Sequence, residues 1–243
     1  GLPCAEYHLA TCKGVQGVLS PRFLPRGSPL VPGNTLFATV DREYDGSLRF
    51  KQVRYKLPTA LDIIGSFNIE RVELRGEAPI PALGAFVGYL LFDVLIGNTD
   101  RHHENWGIMV LRDQGRPRLH LAPSFDHASS LGRELADDRR INRLKTNDRR
   151  SDMQAYAEKA RSAFYGPELS IRTMTNREVA EALLQAFPDA ARPWCDKIGA
   201  LEPKLFEGIL NNIPENFISV PARQFACRLL AYNQTVIREL AGG

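Results

Sequence analysis

The chain has 243 residues, of which 44% are hydrophobic, and its formal net charge at pH 7 is +3. A chain of this length buries a sizeable core, either as one large domain or as a main domain with a small appendage. A charge of +3 is too small to indicate nucleic-acid binding. No apolar run approaches the roughly 18 residues of a membrane span. We therefore expect neither direct nucleic-acid binding nor a membrane location.

The cysteines predict no metal site and no disulfide framework, because none of them has CxxC spacing: Cys4, Cys12, Cys195 and Cys227. Free thiols are typical of a reducing compartment, so we expect a cytoplasmic protein. Residue 1 is glycine rather than an initiator methionine. We accordingly expect a processed chain or part of a longer one.

The N-terminal quarter predicts extended structure followed by a hinge. Residues 5–24 are rich in β-forming residues, with turn opportunities at Lys13-Gly14 and Gln16-Gly17. Residues 25–34 are rich in proline and glycine, as a connection between two parts of a fold would be. Nothing here resembles GxGxxG or GxxxxGK, so no phosphate-binding loop is predicted. Residues 41–47 are expected to form a loop, and residues 41–58 receive no function.

The central elements are better defined. We predict a short helix over residues 59–67, a charged stretch ending in a loop before residue 81, and a buried helix from residue 82. That helix has apolar residues at i, i+3, i+4 and i+7 and stops at Gly97. Two strands, 106–111 and 118–121, form a hairpin with Gly115 near its tip.

The C-terminal part is predicted to be helical. Residues 132–150 are highly charged and are interpreted as a solvated surface, with contact to an acidic or RNA-bearing substrate as the less favoured alternative. Thr175 and Glu178 have the spacing of a capping box, and their helix is expected to end near Phe187. A last helix begins after Ser219 or Pro221. The predicted class is α+β, with a small β-rich N-terminal part and a mostly helical remainder.

Three polar residues in the centre predict phosphoryl-transfer chemistry. Asp100 and Asn105 stand five residues apart, and Asp126 follows the hairpin. Phosphoryl transfer needs a carboxylate beside the attacking hydroxyl and oxygen ligands for Mg²⁺. The Asp-x4-Asn spacing is that of the protein-kinase catalytic loop. Singly, each residue also fits an ordinary turn-capping role. Their combination favours Asp100 as base, with Asn105 and Asp126 as metal ligands.

The neighbouring residues receive narrower expectations. No Cys or Glu completes a zinc pattern with the two adjacent histidines, so no zinc site is predicted here. His102 is interpreted as a loop-organising or transition-state donor, and His103 as exposed. Arg101 is expected either to contact phosphate or to pair with a carboxylate. Trp106 is expected in the core rather than as a stacking platform.

The segments LIGNTDRHHENWGI and LAPSFDHASSLG, with the helix before them, resemble the HipA family of bacterial serine/threonine kinases, the toxins of HipBA-type toxin–antitoxin systems. The specific match covers about residues 84–132, and AEYHLA, GVLSPRFLP and the helical tail match more loosely. The resemblance implies a protein-kinase-like fold that uses ATP and Mg²⁺. It implies Asp100 as catalytic base, His102 in the catalytic loop, and Asn105 and Asp126 as magnesium ligands.

The resemblance also implies partners and a domain division. The substrate would be a serine of a protein, in known cases an aminoacyl-tRNA synthetase, and a DNA-binding antitoxin would hold the kinase. Residues 1–30 would be a remnant of N-lobe strands and hinge, and residues 31–243 the C-terminal kinase lobe. The family's phosphate-covering loop and nucleotide lysine are not recognisable, and Lys13 has no such context. We expect that the N-lobe part carrying them either lies upstream, is supplied by a separate N-lobe segment of another chain, or has been lost.

Two alternative functions remain open from the sequence. A non-catalytic pseudokinase scaffold explains the missing phosphate loop, whereas the presence of all three polar residues favours an enzyme. DRHxxN also resembles the catalytic loop of phosphoinositide kinases, which would make the chain a lipid or small-molecule phosphotransferase. The lack of a membrane-binding amphipathic helix and the sequence LAPSFD favour the HipA interpretation.

Overall fold

The structure is a computed structural model that describes residues 1–167 and 170–242. Within these residues it has seven strands and nine helices, which confirms the α+β class. The strands are β1 (His8–Cys12), β2 (Val15–Leu19), β3 (Leu30–Pro32), β4 (Val72–Leu74), β5 (Glu77–Ile80), β6 (Gly107–Asp113) and β7 (Arg116–Leu121). The helices are α1 (Gly33–Val40), α2 (Leu57–Ser66), α3 (Ala82–Ile96), α4 (Asp137–Lys145), α5 (Met153–Lys159), α6 (Asn176–Ala186), α7 (Pro188–Gly199), α8 (Pro203–Asn211) and α9 (Val220–Gly242).

The first strands form an antiparallel hairpin, β1–β2, with a two-residue connection. Both connecting residues, Lys13 and Gly14, have positive φ angles of 49° and 80°. Two successive left-handed residues give the turn whose twist matches that of paired strands. The turn predicted at Lys13-Gly14 is therefore confirmed. The one at Gln16-Gly17 is wrong, because both residues lie within β2.

A three-stranded antiparallel sheet, in the order β3-β6-β7, supports the residues that follow the central helix. The predicted β6–β7 hairpin is confirmed and turns at Gln114 and Gly115. At the start of β6 a Cβ on Gly107 would lie 2.5 Å from the carbonyl oxygen of Val31. Only glycine admits β3 at this separation, so the approach of β3 depends on that residue.

The chain divides into two compact units, and one of the boundaries between their segments falls within α3. The first unit comprises Gly1–Tyr89, Arg101–Asp126 and Phe164–Ile171. Its core is aromatic, with ring centroids of Phe37 lying 4.8 Å from Tyr44, 5.2 Å from Tyr55 and 6.4 Å from Trp106. The expected burial of Trp106 is confirmed.

Two predictions for the first unit need correction. Helix α1 forms between the predicted connection and the predicted loop, where no helix was predicted, because its short apolar face is buried only by distant aromatic residues. Residues 77–80 form strand β5 rather than a loop. Their partner is β4, and Gly76 provides the left-handed turn residue between the two strands.

The second unit comprises Leu90–Asp100, His127–Ala163 and Arg172–Gly243. Its core forms along α9, where Phe225 and Leu229 pack with Leu135 and Ala157. The start of α9 near Ser219 and the end of α6 at Phe187 are as predicted. No helix of the described residues has the length and apolar character needed to span a bilayer.

Candidate active site

The candidate catalytic loop connects α3 to β6, and a buried asparagine shapes its beginning. The Nδ2 group of Asn98 donates to Oδ1 of Asp93 at 2.8 Å, and the backbone N–H of Asp100 donates to Oδ1 of Asn98 at 3.1 Å. Gly97 ends α3 in the left-handed conformation, with φ of 63°. The Asn98 side-chain amide thereby holds the turn that presents Asp100. Asp100 itself is half-buried.

The next residue, Arg101, ties two separate segments of the first unit together. Its guanidinium is buried and its Nη1 donates to the carbonyl oxygens of Asn105 at 2.7 Å and Phe125 at 3.0 Å. Its Nη2 donates to Oγ of Ser124 at 3.1 Å. A planar guanidinium with five N–H donors suits such simultaneous contacts. The structure thus gives Arg101 a tethering role that the sequence did not predict.

Arg101 binds the carbonyl of one expected metal ligand, Asn105, and the carbonyl of Phe125, the residue before the other. Asn105 is buried, and its own N–H donates to the carbonyl of His102 at 2.9 Å. Asp126 follows Phe125 directly, is exposed, and has a positive φ of 54°. Its N–H donates to the hydroxyl oxygen of Tyr7 at 2.8 Å. These contacts hold the backbone of each expected metal ligand in place.

The donor set of Asn105 and Asp126 fits magnesium. Mg²⁺ prefers oxygen ligands, keeps several waters and is commonly held by one or two protein groups together with nucleotide phosphates. Among the described residues, no group of three or more His, Cys, Asp or Glu is placed to hold a metal ion. An amide oxygen and an exposed carboxylate are ligand types that suit Mg²⁺.

His102 is buried within the loop and has contacts at both ring nitrogens. The backbone N–H of Glu104 lies 3.1 Å from Nδ1, and Nε of Arg49 lies 2.9 Å from Nε2. The ring also makes an edge contact with Phe50, with centroids 6.4 Å apart. The loop-organising part of its predicted role agrees with these contacts.

The prediction that His103 is exposed is wrong, since its exposed fraction is 1%. Its Nδ1 shares a hydrogen bond with the hydroxyl of Tyr44, and its ring contacts Tyr55 edge-on. Its carbonyl accepts the N–H of Asn34 at 3.0 Å. Burial lowers the pKa of His103, which favours the neutral ring. His103 anchors the loop in the aromatic core.

The connection between α1 and α2, named here the 41–56 segment, supplies contacts that the sequence did not predict. Tyr55 donates to the carbonyl of Arg101 at 2.9 Å and accepts from Nε1 of Trp106 at 2.8 Å. Tyr44 and Arg49 of the same segment contact His103 and His102. The only sign of these contacts in the sequence was the presence of two tyrosines in a segment expected to be polar. That signal does not say which residues they contact.

Comparison with protein families decides the relationship. Residues 56–192, more than half of the chain, match the HipA-like C-terminal domain. The chain belongs to this family. The expected relationship to HipA-like kinases is therefore confirmed, and the matched range includes the whole candidate catalytic loop and the hairpin that leads to Asp126.

Solved structures show the same fold. The Helicobacter pylori proinflammatory kinase CtkA has a TM-score of 0.75 at 22% identity, over 99% of this chain and 79% of CtkA. Shewanella oneidensis MR-1 HipA, determined with HipB and operator DNA, has a TM-score of 0.54 at 10% identity, over 98% of this chain. The chain spans about half (52%) of that HipA chain. Comparison with curated proteins gave no match.

Proposed function

We propose that the chain carries the catalytic and metal-binding part of a HipA-like kinase, which transfers the γ-phosphate of ATP to a serine of a protein substrate. The observation that carries the proposal is the Arg101 tether. One buried guanidinium holds the carbonyls of Asn105 and Phe125. In the sequence Asp100 directly precedes Arg101, and the candidate ligand Asp126 directly follows Phe125. Family membership supports the same chemistry.

In this proposal each side chain has one task. The carboxylate of Asp100 accepts the proton of the serine hydroxyl as the hydroxyl oxygen bonds to the γ-phosphorus and the bond to the bridging oxygen of ADP breaks. Asn105 and Asp126 hold magnesium, which supplies charge neutralisation at the nucleotide phosphates when bound. The backbone carbonyl of His102 accepts the backbone N–H of Asn105, and this contact holds the loop between Asp100 and Asn105.

The proposal includes the division of the chain into residues 1–30, as N-lobe strands and hinge, and residues 31–243, as the kinase lobe. A phosphate-covering segment would complete the nucleotide site, either from the same polypeptide or from another. Because the Shewanella HipA structure contains HipB and operator DNA, we propose a DNA-binding antitoxin as a partner. The expected cytoplasmic location belongs to the same proposal.

The test is phosphate transfer from radiolabelled ATP by the full-length protein, with Asp100→Asn as the main variant. Loss of the base is expected to lower the transfer rate at least about 100-fold. Asp113→Asn, at the exposed end of β6, serves as the matched control and is expected to keep wild-type activity. Wild-type activity of Asp100→Asn would exclude Asp100 as the base.

A non-catalytic scaffold is the alternative that this assay separates. If the full-length protein binds Mg²⁺ and nucleotide but transfers no phosphate to itself or to co-purified protein, the scaffold is favoured. Transfer to a lipid or small molecule with none to protein would favour the phosphoinositide-kinase-like alternative instead.

A further inference from the structure

Helix α4, in the second unit, has its charges separated along its length. None of its residues is buried, and both of its acidic residues lie in its first turn. One arginine has a structural role, since Arg140 pairs with Asp137 at 2.6 Å and donates to the carbonyl of Gly132 at 3.0 Å. The other three cations of the helix have no carboxylate partner among the residues that the structure describes: Arg139, Arg143 and Lys145.

These three cations line one cavity beside α4. Its volume is about 570 Å³, and no carboxylate is among the described residues that line it: Arg139, Asn142, Arg143, Lys145, Thr146 and Ser151. Four of them, starting at Arg139, have the i, i+3, i+4 and i+7 spacing that places side chains on one face of a helix. The cavity therefore presents a positive charge that its own lining does not balance.

Arg143 is held in place at this cavity by its neighbours. Its Nη1 donates to the carbonyls of Ser151 at 3.1 Å and Asp152 at 3.4 Å. Its guanidinium lies over the ring of Tyr156, 5.3 Å from the centroid. In the part of the chain that the structure describes, no acceptor binds its Nε or Nη2. A cation ordered in advance, with N–H groups left over, lowers the entropic cost of binding an anion.

The stability of α4 does not account for Arg139. Cations in the last turn of a helix, here Arg143 and Lys145, interact favourably with the helix dipole. Arg139 lies instead in the first turn, where a positive charge is unfavourable. It also stands four residues before Arg143, and like charges at this spacing repel each other. An anion bound between the two guanidinium groups relieves that repulsion.

The surrounding carboxylates limit the length of a bound anion. Asp137 and Asp138 lie at the N-terminal end of α4, and Asp148 lies just beyond its C-terminal end. A nucleic-acid strand carries a charge at every phosphate and would have to pass these carboxylates. A single phosphoryl group concentrates a charge of about −1.5 to −2 on three acceptor oxygens at pH 7. A compact phosphate group is therefore the anion that matches three adjacent cations.

We propose that this cavity, named here the α4 cavity, binds the phosphoryl group of a phosphorylated serine or threonine side chain of a protein. Four of its six lining residues are exposed, so a group carried on a polypeptide can reach it. A site for a free small molecule would enclose most of its ligand. Clusters of arginines are a recurrent means of recognising phosphorylated side chains. The site extends the interpretation of residues 132–150 as a solvated surface and does not depend on the proposed kinase function.

The first test is an NMR titration of the full chain with a glycine peptide that carries one central phosphoserine. The amide signals of residues 139–151 are expected to shift with a Kd on the order of 1 mM, as for a few charged hydrogen bonds without further contacts. The same peptide with serine should cause no shift. With glutamate it should bind at least about 5-fold more weakly, because a carboxylate has one charge and two oxygens. Equal binding of the phosphoserine and glutamate peptides would overturn the phosphate assignment.

Two double variants separate the α4 cavity from the general charge of the segment. Arg139→Gln with Lys145→Gln removes two lining cations and is expected to weaken binding of the phosphoserine peptide at least about 10-fold. Arg149→Gln with Arg150→Gln removes the same charge from exposed arginines outside the lining. This control should change the Kd less than about 3-fold at about 0.15 M salt, because exposed charges are screened. An equal loss of binding in both double variants would overturn the cavity as the site.

The remaining comparison distinguishes the source of the phosphate. Inorganic phosphate is expected to compete with the phosphoserine peptide, and a short oligothymidylate is expected to bind more weakly than the peptide at about 0.15 M salt. Tighter binding of the oligothymidylate to residues 139–151, or binding of inorganic phosphate without binding of the peptide, would overturn the assignment to a phosphorylated protein. These titrations contain no ATP, so their outcome is separate from that of the phosphate-transfer assay.

Discussion

The backbone N–H of Asp126 donates a 2.8 Å hydrogen bond to the hydroxyl oxygen of Tyr7, across 119 residues of sequence. Asp126 has a positive φ of 54°, a conformation that costs a residue with a side chain roughly 1 kcal/mol. The Tyr7 contact offsets part of this cost. It thereby links the segment before hairpin β1–β2 to the carboxylate proposed to hold magnesium.

We predict that Tyr7→Phe weakens magnesium binding without unfolding the protein. The loss of one hydrogen bond to the Asp126 backbone corresponds to about 1 kcal/mol, or about a 5-fold higher Kd. Mn²⁺ substituted for Mg²⁺ and titrated by electron paramagnetic resonance with nucleotide present measures this change. Tyr232→Phe, which removes a hydroxyl bonded to Glu158, is the control and should leave the metal affinity unchanged. Identical Kd values for Tyr7→Phe and wild type would exclude this support.

Asp126→Ala is predicted to remove most magnesium-dependent nucleotide binding, because the exposed carboxylate is the charged member of the proposed ligand pair. Calorimetric titration with ATP, in the presence and absence of Mg²⁺, measures the effect. Asp113→Ala, on the β6–β7 hairpin, controls for the loss of one negative charge. If Asp126→Ala bound Mg²⁺·ATP as wild type does, Asp126 would not belong to the metal site.

Arg101→Met is predicted to destabilise the protein by about 2–4 kcal/mol, because one buried and one part-buried carbonyl lose a charged hydrogen-bond donor. Arg101→Lys should recover only part of this, since one ammonium does not reproduce the planar donor group. Urea unfolding measures both values. Arg42→Met, at an exposed position, should stay within about 0.5 kcal/mol of wild type. A similarly small effect of Arg101→Met would contradict the tether.

The capping box of α6 predicts a pH dependence of stability. Hydrogen bonds from the Arg172 side chain and from the N–H of Thr175 lower the pKa of Glu178 below its ordinary value of 4.5. A lowered folded-state pKa means that the unfolded chain binds the proton more readily. The stabilisation is therefore fully present above about pH 4.5 and is lost as the pH falls through the folded-state pKa.

Glu178→Gln is predicted to lower the melting temperature at pH 7, and this difference from wild type should shrink towards pH 3. Glutamine keeps an acceptor for the Thr175 amide but has no charge to lose. Thermal unfolding followed by circular dichroism at both pH values measures the difference. Glu181→Gln, on the same helix, controls for the removal of one carboxylate. A difference that is constant from pH 7 to pH 3 would contradict the linkage.

Much of the fold follows from local sequence. The i, i+3, i+4 pattern and Gly97 define α3, the Thr175 and Glu178 pair starts α6, and Gly115 marks the β6–β7 turn. Each signal operates within a few residues, through caps, periodicity or a left-handed turn position. The order of Asp100, Asn105 and Asp126 along these elements was sufficient to indicate a kinase-like site, and the family match supports that interpretation.

The contacts that hold the candidate site were decided only by tertiary structure. Tyr7, Tyr44, Arg49 and Tyr55 have no local signal for partners that lie between 46 and 119 residues away. His103 was expected at the surface because a polar residue in a polar loop gives no local indication of burial. It contacts the rings of Tyr44 and Tyr55 from the 41–56 segment and the backbone of Asn34 in α1, which only the folded chain brings to it. The sequence determined which groups are proposed to carry the chemistry, and long-range packing decided how their backbone is held.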